Sequence, residues 1–128
     1  MSFISALNKM PGLCVGAGAS EKEIIQAESR LGVRFADDYR EYLERYGMAQ
    51  MAGRELTGIG VVDHLDIVGV TQECREYIPD LPPSWYVVED LGIDGRTVWQ
   101  DEDGVVYLVS PDGEVERIAD GLQEYIER

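Results

Sequence analysis

His64 is the only histidine of the 128-residue sequence, and its side chain is the type best suited to acid–base chemistry near neutral pH. Asp63 and Asp66 could orient it as a general base, and Cys74 could complete a Cys–His pair. No surrounding pattern supplies an activated nucleophile, so we interpret His64 as a loop residue before a helix cap and expect no catalytic residue. A small enzyme is the alternative, and it would require His64 to face a deep cleft with a carboxylate partner.

Gly16-Ala17-Gly18 precedes a helical segment, as glycine-rich phosphate loops do. The third glycine of such loops is missing, no clear strand comes before the segment, and Glu21 and Glu23 would repel a phosphate group. We interpret the stretch as a flexible link.

Asp101-Glu102-Asp103-Gly104 is similar in composition to the start of a calcium-binding loop. The full loop needs further oxygen ligands and a late glutamate, whereas Val105-Val106-Tyr107 follow at once. We interpret the segment as a solvated hairpin turn. The two cysteines, Cys14 and Cys74, are far apart and lack zinc-ligand spacing, so we expect free thiols, no metal and no cofactor.

The charge balance is strongly acidic, with 25 acidic and 11 basic residues and a formal net charge of -14. Residues 85–128 hold 12 acidic and 3 basic residues, so the last third of the chain carries most of the excess. Such a surface repels nucleic acids and membranes and attracts basic proteins. No basic segment precedes Phe3-Ile4 and no apolar run has membrane-spanning length, so we expect a soluble, cytoplasmic protein.

Helical signals dominate the first two thirds of the chain. Ser20-Glu21-Lys22-Glu23 is a capping box, and apolar residues at helical spacing follow it up to Gly32. A second helix is predicted over 37–47, with Tyr39, Tyr42 and Tyr46 on its buried face, and a third over 67–77, capped by Asp66. The buried stripe of that third helix is predicted to comprise Val70, Cys74, Tyr77 and Ile78.

Strand signals dominate the remainder. One strand is predicted over 53–60, and four more follow near 85–88, 97–99, 105–109 and 115–118, separated by Asp-Gly turns. The run from Val105 to Val109 is apolar on both faces and is predicted to be central in its sheet. A short helix over 120–126 closes the chain. The predicted fold class is α+β, with an N-terminal helix pair and a C-terminal antiparallel meander. Residues 1–19 form a flexible or short helical lead, and residues 20–128 form a single domain.

Three segments carry a resemblance to a known family. They are Ser20-x-x-Glu23-Ile24, Glu28-x-x-Leu31-Gly32-Val33 and Asp37-Asp38-Tyr39-Arg40-Glu41-Tyr42-Leu43. The chain resembles the SUKH superfamily over about residues 20–127. That superfamily comprises bacterial immunity proteins of polymorphic and contact-dependent toxin systems, related to a fungal regulator of cell-wall synthesis. The resemblance implies a domain that binds and blocks a toxin without enzymatic activity.

The first hypothesis is therefore an immunity protein that neutralises a cognate toxin encoded by a neighbouring gene, with a basic nuclease as one candidate. The alternative is a regulatory or scaffold module that binds proteins without a link to a toxin. Aromatic anchors and acidic rim residues are the side chains expected at such an interface. The predicted contact residues are Trp85, Tyr86, Trp99, Asp101, Glu102, Asp103, Asp112, Glu114 and Glu116.

Overall fold

The computed structural model describes residues 2–60 and 62–128. Within them, five α-helices and seven strands give an α+β fold, as predicted. The helices are α1 (Phe3–Asn8), α2 (Glu21–Leu31), α3 (Asp37–Arg45), α4 (Ile67–Tyr77) and α5 (Leu122–Glu127). The strands are β1 (Cys14–Val15), β2 (Ala49–Met51), β3 (Arg54–Glu55), β4 (Tyr86–Asp90), β5 (Thr97–Gln100), β6 (Val106–Val109) and β7 (Val115–Ala119). No helix in the described ranges is both long and apolar enough to cross a bilayer.

The predicted caps fix the starts of two helices. Ser20 Oγ accepts a hydrogen bond from the Glu23 amide at 3.2 Å, and Glu23 Oε1 accepts one from the Ser20 amide at 3.0 Å. Gly32 ends α2 in the left-handed conformation, with φ at 69°. Asp66 Oδ2 accepts from the Gly69 amide at 3.0 Å and begins α4. All three predicted N-terminal and central helices are confirmed.

The C-terminal strands form a four-stranded antiparallel meander in the order β4-β5-β6-β7. Strand β6 pairs with β5 on one side and β7 on the other, which confirms the predicted central position of this run. Its two hairpin turns contain Gly104 and Gly113, whose φ angles of 99° and 89° suit glycine. The Asp-Gly signals therefore marked real reversals of the chain.

The predicted strand over 53–60 is correct only in part. Arg54–Glu55 is a strand, but the following residues make single bridges, Leu56 with Glu89 and Gly58 with Asp66. A small antiparallel sheet of order β1-β2-β3 accompanies them, and its β1 lies within residues 1–19, which the sequence predicts to be a flexible or short helical lead. Pairing with β2, rather than any local preference of Cys14-Val15, makes that segment extended.

Both faces of the meander are covered by apolar packing. One face meets the main core, to which Phe35, Tyr39 and Tyr42 contribute. The other face meets α4 through a second, smaller cluster that includes Val70 and Trp99. The lead of residues 2–19 holds α1, whose apolar side chains are buried in the main core.

The buried stripe of α4 differs from the prediction at one residue. Val70 and Ile78 are buried and Cys74 is half-buried, but Tyr77 is 73% exposed. The predicted burial of Tyr77 is therefore wrong. Tyr77 is the last residue of the helix, and the next residue, Ile78, packs into the second core cluster in its place.

Candidate functional site

Carboxylates from three separate segments meet at one end of the meander. Asp37 comes from the first turn of α3, Glu102 and Asp103 from the β5–β6 turn, and Asp120 from the turn before α5. They line a cleft of about 660 Å³, which we name the acidic cleft. Arg34 is the one basic residue among its described lining residues. This end of the sheet therefore presents a concentrated negative charge.

Asp38 holds the three segments of the acidic cleft together. Its Oδ1 accepts a hydrogen bond from Gln100 Nε2 at 2.9 Å, and its Oδ2 accepts one from the Leu122 amide at 2.9 Å. Gln100 Nε2 also donates to the Gly104 carbonyl at 3.0 Å, so the hairpin turn is fixed to the same group. The carboxylates at the mouth are therefore displayed on a rigid base.

Asp101 uses its carboxylate inside the turn. The amides of Asp103 and Val105 donate to its Oδ1 at 3.0 and 2.9 Å, and the Tyr107 hydroxyl donates to its Oδ2 at 2.9 Å. Burial raises the pKa of Tyr107, and the hydrogen bond to Asp101 raises it further. Asp101 thus shapes the turn, while Glu102 and Asp103 point their charges to solvent.

The acidic residues at the mouth of the cleft carry little neutralising charge. Asp37, Glu102 and Asp103 are exposed and join no ion pair within the part of the chain that the structure describes. Asp120 pairs with Arg117 at 2.6 Å, but both side chains are largely exposed, so water and salt screen the pair.

Two carboxylates that are largely shielded from solvent are each paired with an arginine. Glu28 is paired with Arg40, and Glu89 is paired with Arg54 at 2.8 Å. Because these two arginines pair with carboxylates away from the surface, they do not neutralise the exposed carboxylates. The exposed carboxylates therefore determine the electrostatic potential around the protein.

The predicted acidic residues do not form one surface. Asp112, Glu114 and Glu116 lie on or after the β6–β7 turn, at the opposite end of β6 from Glu102 and Asp103. At roughly 3.4 Å per residue, the four residues of β6 span about 14 Å between these two ends. Asp112 Oδ1 accepts from the Glu114 amide at 3.0 Å and so supports its own turn. The two acidic groups are separate patches.

Tyr86 and Trp99 are not surface residues. Both are 0% exposed. The Tyr86 hydroxyl accepts from the Ala36 amide at 2.8 Å and donates to Gln100 Oε1 at 2.7 Å, and Trp99 Nε1 donates to Thr97 Oγ1 at 2.7 Å. The expectation that these rings contact a partner is corrected, because helices cover both faces of the sheet where they lie.

Trp85 is the predicted aromatic residue that remains accessible in part. Its ring stacks on Tyr107, with centroids 4.0 Å apart and planes 11° from parallel. Because the Tyr107 hydroxyl also bonds Asp101, the stacked pair adjoins the hairpin that carries Glu102 and Asp103. An amphipathic aromatic platform therefore lies next to the acidic turn.

His64 does not acquire the surroundings of a catalytic base. Its Nε2 lies 3.9 Å from Glu55 Oε2, too far for a hydrogen bond, and both side chains are substantially exposed. Among residues 2–60 and 62–128, no group of three or more histidine, cysteine or acidic side chains is arranged to hold a metal ion.

Comparison with protein families gives the identity of the fold. The SUKH_5 family model, described as SMI1-KNR4 cell-wall, matches residues 2–128. The chain belongs to the SUKH_5 family. Comparison with curated proteins gave no match. The family match extends to the N-terminus of α1 and so covers residues 2–19 of the predicted lead as well as residues 20–128.

Three residues that build the acidic cleft of this SUKH_5 domain were not among the predicted site residues. The sequence pattern predicts Asp37 and Asp38 at the start of the helix over 37–47, where the helix dipole favours acidic residues, and Asp120 at the start of the helix over 120–126. Their meeting with Glu102 and Asp103 depends on contacts more than 60 residues apart along the chain, such as that between Asp38 and Gln100. No local pattern carries that information.

Proposed function

We propose that this SUKH_5 protein is a non-enzymatic, cytoplasmic immunity protein that binds and neutralises a cognate toxin domain. The observation that supports it best is the acidic cleft, where carboxylates from three segments converge and where Asp37, Glu102 and Asp103 join no ion pair among the residues that the structure describes. The fold family adds support, since the chain belongs to the SUKH_5 family over nearly its whole length.

The chemistry of the cleft favours a basic partner. Negative potential focused in a cleft attracts a positively charged protein surface and raises the rate of encounter. A nuclease domain has such a surface, because it must hold phosphate groups. An inhibitor that presents Asp37, Glu102 and Asp103 to that surface would compete directly with the nucleic acid. We therefore propose a basic nuclease as the toxin class.

Affinity requires apolar contact as well as charge. Stable interfaces have an aromatic or aliphatic centre that excludes water, surrounded by polar residues. The half-buried Trp85, stacked on Tyr107, supplies such a centre beside the acidic turn. In this arrangement the ring pair anchors the partner, while Glu102 and Asp103 select for positive charge.

Binding without catalysis agrees with the chemistry of the titratable groups. His64 is exposed and not hydrogen-bonded to Glu55, so it lacks the orientation that a general base needs. The tyrosines of the core are held neutral by burial, which raises the pKa of Tyr42 and Tyr86 well above the ordinary value. Occlusion of the partner is the mechanism we propose.

A regulatory or scaffold role is the second candidate, because the family description refers to the cell wall. The same acidic cleft would then bind a basic segment of a regulated protein instead of a toxin. The two candidates differ in whether the partner is harmful to the cell.

Co-expression distinguishes them. The chain is produced together with the toxin domain encoded beside its gene, and growth and co-purification are measured. We expect rescue of growth by the wild type and, for Glu102→Lys with Asp103→Lys, a loss of affinity of about 10- to 100-fold, since charge pairs at interfaces contribute about 1–3 kcal/mol. The matched control, Glu21→Lys with Glu44→Lys, changes the net charge equally on exposed helix positions. Failure of the wild type to rescue growth or to co-purify would reject the toxin proposal.

A further inference from the structure

A second cleft lies at the end of the meander opposite the acidic cleft. Its apolar wall consists of Val70 and Cys74 from α4, Ile78 directly after α4, and Pro111 of the β6–β7 turn. The cleft has a volume of about 570 Å³, and we name it the α4 groove. The large lining side chains include Tyr77, which is 73% exposed.

The groove has a rigid floor. Gly95 of the β4–β5 turn has a φ of 68°, and a Cβ placed there would lie 2.8 Å from Pro111 Cγ. The two turns are therefore in close contact. Val87, Trp99 and Val109, which lie below, are fully buried in the second core cluster. They pack with Val70 and Ile78, so the apolar wall of the groove rests on a fully packed cluster.

The α4 groove continues into an adjoining cleft. That cleft has a volume of about 620 Å³ and shares His64 and Asp90 with the groove. Ile93, 69% exposed, also lines this adjoining cleft. Tyr77 in the groove and Ile93 in the adjoining cleft are therefore two large exposed apolar side chains, and contiguous exposed apolar surface marks binding sites on monomeric proteins.

The α4 groove is lined by negative charge. Glu73 and Asp90 are exposed on its two sides. Burial, followed by the negative charges of Asp90 and Glu73, raises the pKa of the Cys74 thiol to about 11, so both carboxylates act on the same apolar wall. Asp112 and Glu114 follow Pro111 on the adjacent turn. The basic residues nearby, Arg54 and Arg96, line the adjoining cleft.

We propose that the α4 groove binds an apolar side chain of a partner protein that is flanked by lysine or arginine. The apolar wall excludes acidic or strongly polar side chains from the floor, and Glu73 and Asp90 pair with the flanking cations. The proposal rests on the proposed function in assigning a basic partner. It adds a second contact surface, separated from the acidic cleft by the length of β6, and it gives the partner a specific apolar anchor.

The test uses short peptides, so that it does not depend on a toxin. The ¹⁵N-labelled chain is titrated with acetyl-Lys-Leu-Leu-Lys-amide, acetyl-Glu-Leu-Leu-Glu-amide and acetyl-Lys-Ser-Ser-Lys-amide. We expect the first peptide alone to shift the amide resonances of Cys74, Ile78 and Thr97. Equal shifts with the acidic peptide, or no shifts in the groove with any peptide, would overturn the proposal.

Variants at exposed positions, which leave the core intact, sharpen the result. Glu73→Lys and Tyr77→Ser should each weaken binding of the first peptide about fivefold or more, since one surface charge or apolar contact at an interface contributes about 1 kcal/mol. Glu102→Lys with Asp103→Lys should leave it unchanged. If Glu102→Lys with Asp103→Lys in the acidic cleft weakens peptide binding as strongly as Glu73→Lys does, the peptide does not bind in the α4 groove. A concentration-dependent dimer that Tyr77→Ser abolishes would replace the peptide ligand with a second copy of the chain.

The outcome is separable from that of the proposed function. Peptide binding in the groove without growth rescue rejects the toxin and keeps the groove. Growth rescue without peptide binding rejects the groove and keeps the toxin.

Discussion

Asp38 Oδ1 accepts a hydrogen bond from Gln100 Nε2 at 2.9 Å, and this contact joins the first turn of α3 to the last residue of β5. The neighbouring Asp37 makes no such contact and is exposed. Two adjacent aspartates therefore have different roles, one structural and one at the surface.

Asp38→Ala is expected to destabilise the protein by about 2–4 kcal/mol, because it leaves the buried Gln100 amide and the Leu122 amide without one of their acceptors. Asp37→Ala should change stability little and should weaken only partner binding. Urea unfolding of the two variants checks this. Equal destabilisation by both substitutions would contradict the assignment of roles.

Glu89 is 2% exposed, and its carboxylate accepts hydrogen bonds from Arg54 Nη2 at 2.8 Å and from the Tyr125 hydroxyl at 2.6 Å. Arg54→Ala is expected to cost about 3–5 kcal/mol, since it leaves a buried charge without its partner. Replacing both residues, with Arg54→Met and Glu89→Leu, should recover part of that loss. Arg117→Ala, which breaks an exposed pair, is the control and should have little effect. A double variant less stable than Arg54→Ala would argue against this account.

Two glycines should respond oppositely to alanine. A Cβ on Gly58 would lie 2.0 Å from the Gly47 carbonyl oxygen, so Gly58→Ala must displace backbone and is expected to prevent stable folding at 37 °C or to lower the melting temperature sharply. A Cβ on Gly69, in the first turn of α4, would have its nearest contact at 3.6 Å. Gly69→Ala should therefore stabilise by about 0.5–1 kcal/mol through helix propensity. Thermal unfolding of both variants gives the comparison, and a neutral Gly58→Ala would disprove the close approach.

The stability of the protein should decrease above pH 10. Burial raises the pKa of Tyr39, Tyr42, Tyr86 and Tyr125 above the ordinary value of about 10. At higher pH the unfolded chain loses these protons while the folded chain keeps them, so each group lowers the free energy of unfolding by about 1.4 kcal/mol per pH unit. The stabilising contribution is complete below pH 10 and is lost as the pH rises through the folded pKa values.

Tyr86→Phe provides the check on this pH dependence. The variant should be less stable at pH 7, because Ala36 and Gln100 lose a hydrogen-bond partner, yet its stability should decrease less steeply between pH 10 and 12. Tyr77→Phe, which removes an exposed phenol, is the matched control. If the free energy of unfolding decreases equally steeply with pH in the wild type and in Tyr86→Phe, Tyr86 has the same pKa in the folded and the unfolded state, which would contradict this prediction.

Local signals were sufficient for most elements of the fold. Asp66 and the apolar spacing after it indicated α4, and the Asp-Gly pairs indicated the meander, because caps and tight turns are chemical requirements of a few adjacent residues. The two-residue β1 escaped prediction because it is extended only through pairing with β2. The exposure of Tyr77 escaped prediction because helical spacing does not show which of the residues at the end of a helix packs into the core, and here it is Ile78.

The candidate site was less accessible to sequence reasoning. The burial of Tyr86 and Trp99 follows from the coverage of both sheet faces, which strand patterning near 85–88 and 97–99 does not specify. The opposite placement of Asp103 and Asp112 could have been derived from the meander, since consecutive hairpin turns lie at alternate ends of a sheet. The addition of Asp37 and Asp120 could not, because it depends on long-range contacts.

Asp38 is a structural residue and the acidic residues around it are exposed, and this difference has an evolutionary consequence. Because the backbone of the β5–β6 turn is secured from behind, Glu102 and Asp103 are replaceable without loss of the scaffold. Substitutions at those tip residues can therefore accumulate without unfolding the domain, whereas a change at Asp38 removes hydrogen bonds that hold the turn and the start of α5 in place.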